Sequence, residues 1–197
     1  MDFGSASNFE QAPTGIHKAR LFSIVDLGTQ VGEYKGEKTK NRQLHFTWEL
    51  TDELKDDGKP YVISNFYNQS LGEKSKFIQD MTSWFGKAPA IPSNNEEKGA
   101  FVLDLLKSLL GKGCQLVVID KEGKHRISTV TGLSKSDKVE GDTVNETIFF
   151  DLDSYDEDTF EKVSKGLQGI IQRSPEYAKI INPDVETSEV EEDEIPF

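Results

Sequence analysis

The sequence predicts a mainly β fold with α additions, and three observations carry that expectation. The segment "QLHFTWELT" (43–51) alternates without a fault: Leu44, Phe46, Trp48 and Leu50 fall on one face, Gln43, His45, Thr47 and Glu49 on the other. The stretches 15–28, 61–70, 114–134 and 146–152 concentrate β-branched and aromatic residues between polar or glycine-containing breaks. Apolar residues take up helical spacing only between residues 73 and 113, and again after residue 153.

Taken in order, "GIHKARLFSIVDLG" (15–28) is a long first strand, with Lys18, Arg20 and Phe22 on one face and Leu21 and Val25 on the other. "VGEYKGEKTKNR" (31–42) has two glycines, four cations, two acids and no apolar period, the composition of an exposed loop. Residues 43–51 are the second strand, "DELKDDGKP" (52–60) is a polar turn, and "YVISNFYNQS" (61–70) is the third strand. "EKSKFIQDMTSWFG" (73–86) places Phe77, Ile78, Met81, Trp84 and Phe85 on a helix that stops at Gly86. A second helix covers 96–113 and ends at Gly111, and 114–134 is a hairpin tipped by Gly123. Residues 146–152 form a sixth strand. Ser154 and Glu157 have capping-box spacing for a helix running to about residue 172, and Ser174-Pro175 opens a shorter one. Three strands, helices, then two strands is the order of a five-stranded OB-fold barrel, with helices between strands 3 and 4 and here a C-terminal helical appendage.

The 197 residues suit one core domain with an appendage. A single cysteine, Cys114, excludes an intrachain disulfide and speaks against a zinc cluster. The start "MDFGSASNFEQAP" lacks the features of a signal peptide, and no stretch approaches the roughly 18 apolar residues of a membrane span. A cytoplasmic protein without a membrane partner is expected. The net charge of −12 is unevenly placed: residues 1–150 hold 19 Lys+Arg and 21 Asp+Glu, whereas residues 151–197 hold 4 and 14. The body is thus nearly neutral and has room for basic patches.

No catalytic motif supports an enzyme: GxxxxGK[ST], GxSxG, HExxH and CxxC are all missing. "DLDSYDEDTFEK" (151–162) fails the EF-hand template at Tyr155, Asp156 and Lys162, so no metal and no cofactor is expected. Its acids suit the first turn of a helix. The loop "YKGEKTKNR" (34–42) instead gathers Tyr34, Lys35, Lys38, Lys40 and Arg42, and the later hairpin gathers Lys121, Lys124 and Arg126. In an OB barrel these two connections flank the binding face. With Lys18, Arg20 and His45 they form a candidate surface for single-stranded nucleic acid, cations holding phosphates and rings stacking bases at about 1–3 kcal/mol each. Tyr34, Tyr61, Phe66 and Tyr67 are the stacking candidates; Tyr67 is placed in the site, although neither face of its strand is wholly apolar. Trp48 and Phe46 belong to the core.

The last residues, "EVEEDEIPF" (189–197), join five acids to Ile195, Pro196 and Phe197. A flexible anionic segment is drawn to basic surfaces, and an aromatic beside a free carboxylate can anchor in a pocket. Glu191, Glu192, Asp193, Glu194, Ile195, Pro196 and Phe197 resemble the acidic tip of bacterial single-stranded DNA-binding proteins. That resemblance implies recruitment of replication, recombination and repair proteins. "APTGIHKARLFSIVDLGTQVGEYKG" (12–36) and "LHFTWEL" (44–50) are similar to the single-stranded DNA-binding proteins of tailed bacteriophages. This implies an OB barrel that binds single-stranded DNA during phage replication in a bacterial cytoplasm.

The sequence therefore divides into an N-terminal arm (1–13), an OB domain (14–152), a helical appendage (153–182) and a disordered acidic tail (183–197). The expected function is largely sequence-independent binding of single-stranded DNA, with duplex DNA and RNA left open. The alternative is an acidic interaction adaptor or DNA mimic that binds no DNA; a carboxylate-metal nuclease built on Asp151 and Asp153 is the other rival.

Overall fold

The computed structural model describes residues 10–34, 36–139 and 141–183, apart from the side chain of Tyr34. Strands β1 (Gly15–Tyr34), β2 (Glu37–Leu54) and β3 (Pro60–Asn68) come first. Helices α1 (Lys76–Phe85) and α2 (Asn95–Leu109) lead into β4 (Gly113–Lys121), β5 (Lys124–Thr131) and β6 (Ile148–Phe150). A 3-10 turn at Leu152–Ser154 precedes α3 (Glu157–Lys162), α4 (Lys165–Ile171) and α5 (Pro175–Ile181). The fold is mainly β: one six-stranded sheet in the order β3–β2–β1–β4–β5, with β6 beside β1, and five helices among the described residues. All pairings are antiparallel except that of β6 with β1. No ladder joins β3 to β5 among the described residues, so the sheet is open.

Strand β1 organises the sheet. One edge pairs with β2 from Ala19 to Tyr34; the other takes β4 over Gly15–Arg20 and then β6 over Ser23–Val25. The β1–β2 register shifts twice, between Leu21 and Ser23 and between Asp26 and Gly28. Each shift inserts one extra residue, Phe22 and then Leu27, which reverses the parity of the strand. Leu21 and Ile24 therefore enter one core, and Val25 and Leu27 enter another on the opposite face. The expected pairing of Leu21 with Val25 on one face is corrected by that bulge.

The larger core lies beneath α1 and α2. Leu44, Phe46, Trp48 and Leu50 are all buried there, as their alternation predicts. Ser75 caps α1 by accepting from the Ile78 amide at 3.2 Å, and Gly86 ends the helix at φ 70°. The smaller core joins Val25 and Leu27 to Phe150, Leu152, Phe160, Val163 and Ile171, which fastens α3 and α4 to the back of β1.

Two expected elements differ. Residues 31–42 are not a loop: β1 and β2 continue as a two-stranded ribbon, pairing Glu33 with Lys38 and Val31 with Lys40 up to a turn at Gly36. Both faces of such a ribbon meet water, so it shows no apolar period, and the opposed charges favour the pairing. The expected helix to residue 172 breaks at Val163–Ser164, and Asp156 rather than Ser154 caps its first part, accepting from Thr159 N at 2.9 Å. Val163 turns into the core, and the buried Gln168 amide donates to the carbonyls of Phe160 (2.9 Å) and Val163 (2.8 Å). Those bonds satisfy acceptors that the interrupted helix leaves open.

Candidate nucleic-acid interface

The register of β1, β2 and β3 sets side chains in rows across the face opposite the larger core. Ser23, Thr47 and Ser64 form one row, and Val25, His45 and Phe66 form the next. Along one side rises a wall made by Ile148 of β6, the Lys162–Ser164 connection and Leu167 of α4. Floor and wall enclose a partly open cavity of about 320 Å³. Phe66 stands beside it, 50 % exposed, its ring 4.6 Å edge-on to His45. Burial pushes the His45 imidazole down to a pKa of about 4, so it is neutral at neutral pH. The lining contains no carboxylate, and its one lysine, Lys162, is exposed and pairs with Glu146 at 2.7 Å. Glu49, one row further along the face, is buried, and its carboxylate accepts from the amides of Val144 and Asn145.

The structure sorts the residues expected in the site. Lys38 and Lys40 are exposed on one face of the ribbon. Lys121, Lys124 and Arg126 are exposed on the β4–β5 hairpin, where Glu122 and Gly123 both take positive φ. Because β4 runs antiparallel along the start of β1, this hairpin and the ribbon tip leave opposite ends of β1. They do not form one continuous basic collar. Lys18 is half-buried, 3.8 Å from Asp137. Lys35 and the Tyr34 side chain lie outside the described residues, as does the tip Glu191–Phe197.

Three expectations are corrected. Arg20 is only 3 % exposed, on a stretch of β1 paired with β2 along one edge and β4 along the other, so its guanidinium is not presented to solvent. Tyr67 is 2 % exposed: it packs in the larger core and donates to Asp80 at 2.7 Å, whereas its neighbour Phe66 points outward. Arg42 is engaged internally, its Nε and Nη2 on the buried Asp26 and its Nη1 on Asp153 at 2.9 Å. Burial works against the Arg42 charge, but the two carboxylates more than offset that and hold its pKa above the ordinary arginine value. Phe66 was a stacking candidate on its residue type alone. Ser64, Ser164 and Lys162 carry no sequence signal, since only the fold brings β3 against the Lys162–Ser164 connection.

A second cavity, of about 290 Å³, lies between α2 and β6 and is lined by Asp26, Asp151 and Asp153 beside Leu103 and Phe149. No group of His, Cys, Asp or Glu suited to a metal ion occurs among the described residues, and no helix there is long and apolar enough to cross a membrane. No protein-family model matches the chain, and no curated protein matches it in sequence.

Proposed function

We propose that this chain binds single-stranded DNA, largely without regard to sequence, along the groove on the outer face of β1, β2 and β3. The observation that carries the reading is a cavity lined without a carboxylate, its neighbour Glu49 tied up by backbone amides, beside a half-exposed phenylalanine in a chain of net charge −12. Desolvating a phosphate strand beside unpaired acids is prohibitive, and this face avoids that cost. Phe66 offers a ring for stacking, which tolerates every base because every base has a π-face. Lys38 and Lys40, on the Leu44 face of β2 in the ribbon, and Lys121, Lys124 and Arg126 on the hairpin are exposed cations beyond the two ends of the groove, where they can meet the phosphates of a strand that runs past it. The second cavity sets three aspartates against one cation, Arg42, which is already bound to Asp26 and Asp153, so it offers the same ligand no free positive charge.

The strand order supports an OB-type architecture: it is that of a five-stranded barrel cut between β3 and β5, and helix α1 lies against both of those strands. The protein's place of action is the cytoplasm of a bacterial host, and the acidic segment 183–197 recruits replication and recombination proteins there. Fluorescence anisotropy of a labelled oligo-dT tests the core of the reading. A saturable, salt-sensitive rise is expected at micromolar protein, and a flat signal ends it. Duplex and RNA oligomers of equal length measure how far the groove discriminates.

A further inference from the structure

The floor of the groove holds a cavity that neither a stacking ring nor outlying cations occupy. Its hydroxyls are Ser23 and Thr47 on β1 and β2, Ser64 on β3, and Ser164 between α3 and α4. Ser164 occupies the N-cap position of α4 yet its side chain makes no cap hydrogen bond. The rest of the lining is mostly apolar, with Val25 and Val62 in the sheet rows on either side of the hydroxyls and Leu167 from α4. A volume of about 320 Å³ is at the small end of ligand pockets, suited to one planar ring system rather than to a larger molecule.

We infer that this cavity receives a single nucleobase, turned out of the stack of the bound strand, and that the C-terminal helices supply one wall of the base pocket. The inference rests on the single-strand reading proposed above. Hydroxyls that rotate can donate or accept, so they satisfy the edge of any base and add affinity without sequence preference. The neutral His45 ring lines the same space, its Nδ1 3.4 Å from Thr47 Oγ1. Unlike the lysines, which hold the backbone, the pocket holds the base itself. Lys162 at the rim is bound to Glu146 only by an exposed pair, which is weak enough to exchange for a phosphate. Residues 148–167 would then belong to the binding site, and α3 and α4 would be more than packing.

Filling the cavity from either side tests this in the full-length chain. Ser64→Ile adds bulk from the sheet at an exposed strand position, and Ser164→Leu adds it from the helical side. Anisotropy with an oligo-dT and with an abasic oligomer of equal length gives an affinity ratio for each protein. The ratio is expected to fall about tenfold in both variants, the worth of one base contact. An unchanged ratio in both variants overturns the pocket and leaves the single-strand reading standing. A wild-type chain that binds neither oligomer overturns both. Equal weakening on both oligomers also overturns the pocket, because it marks an obstructed backbone path rather than an excluded base.

Discussion

Phe66 and Tyr67 are adjacent aromatics with opposite fates, and the difference is one of strand parity. Tyr67 sits over Leu44 in the larger core and hydrogen-bonds Asp80, whereas Phe66 sits over His45 on the outer face. Truncating a half-exposed ring removes little packing but all of its stacking surface. Phe66→Ala is expected to weaken oligo-dT binding by about 1–3 kcal/mol with little change in the denaturation midpoint. Tyr67→Ala is expected to do the reverse, costing about 3 kcal/mol or more of stability. Anisotropy and urea unfolding of the two variants separate these outcomes. His45 supplies a pH signature. Its folded pKa of about 4 lies below the ordinary histidine value, so the unfolded chain takes up the proton first as pH falls. Its contribution is complete above about pH 6.5 and is lost as pH drops toward 4, by up to about 1.4 kcal/mol per pH unit. Urea midpoints measured across that window should fall less steeply in His45→Gln than in the wild type.

The ribbon of β1 and β2 is the element that carries the largest disagreement between composition and conformation. Glycine, lysine and glutamate in residues 31–42 suggest a loop, because strand patterning is visible only when one face is buried. Backbone pairing needs no such pattern. The base of the ribbon is held by the C-terminal helices: the Glu176 carboxylate accepts from Thr29 N at 2.8 Å, and Gln30 donates to Ile170 O at 3.2 Å. Gly28 takes φ 70° there, and a Cβ would lie 2.6 Å from Ser174 and 2.8 Å from Leu152. Gly28→Ala should therefore cost about 1–3 kcal/mol in unfolding experiments. Arg42 belongs to the same clamp, so Arg42→Met strands the buried Asp26. It is expected to cost about 3 kcal/mol of stability, with a secondary effect on DNA at most. Lys38 and Lys40 have the opposite assignment. Lys38→Gln with Lys40→Gln should leave the unfolding midpoint nearly unchanged. The same pair should flatten the log–log salt dependence of DNA binding by about 0.7 for each phosphate that the variant no longer neutralises.

At the scale of the molecule, charge is the organising quantity. Residues 151–197 carry 4 Lys+Arg and 14 Asp+Glu, and seven of those acids fall in residues 184–197. A tethered polyanion reaches about millimolar local concentration at nearby basic surfaces. A chain lacking 184–197 is expected to bind oligo-dT more tightly at low salt; equal or weaker binding in an anisotropy titration would remove the competition. The described helices of this region, meanwhile, pack on β1 and wall the groove, so the acidic end of the sequence supplies both part of that wall and the segment expected to compete for the groove.

Strand and helix order were legible because burial on one face writes its period into the chain, as Leu44, Phe46, Trp48 and Leu50 show. The helix stop at Gly86 and the caps at Ser75 and Ser174 are local chemistry, and of these Gly86 and Ser174 were read from the chain directly. The sequence by itself determined a mainly β chain, the sites of its turns, and the split between a near-neutral body and an acidic end. Only the tertiary structure decided that Arg42 closes on Asp26, that Arg20 is enclosed, that Phe66 faces out, and that Ser64 and Ser164 share a cavity. Those outcomes depend on two bulges in β1 and on the docking of α3 and α4, contacts between residues far apart in the chain that no local period encodes.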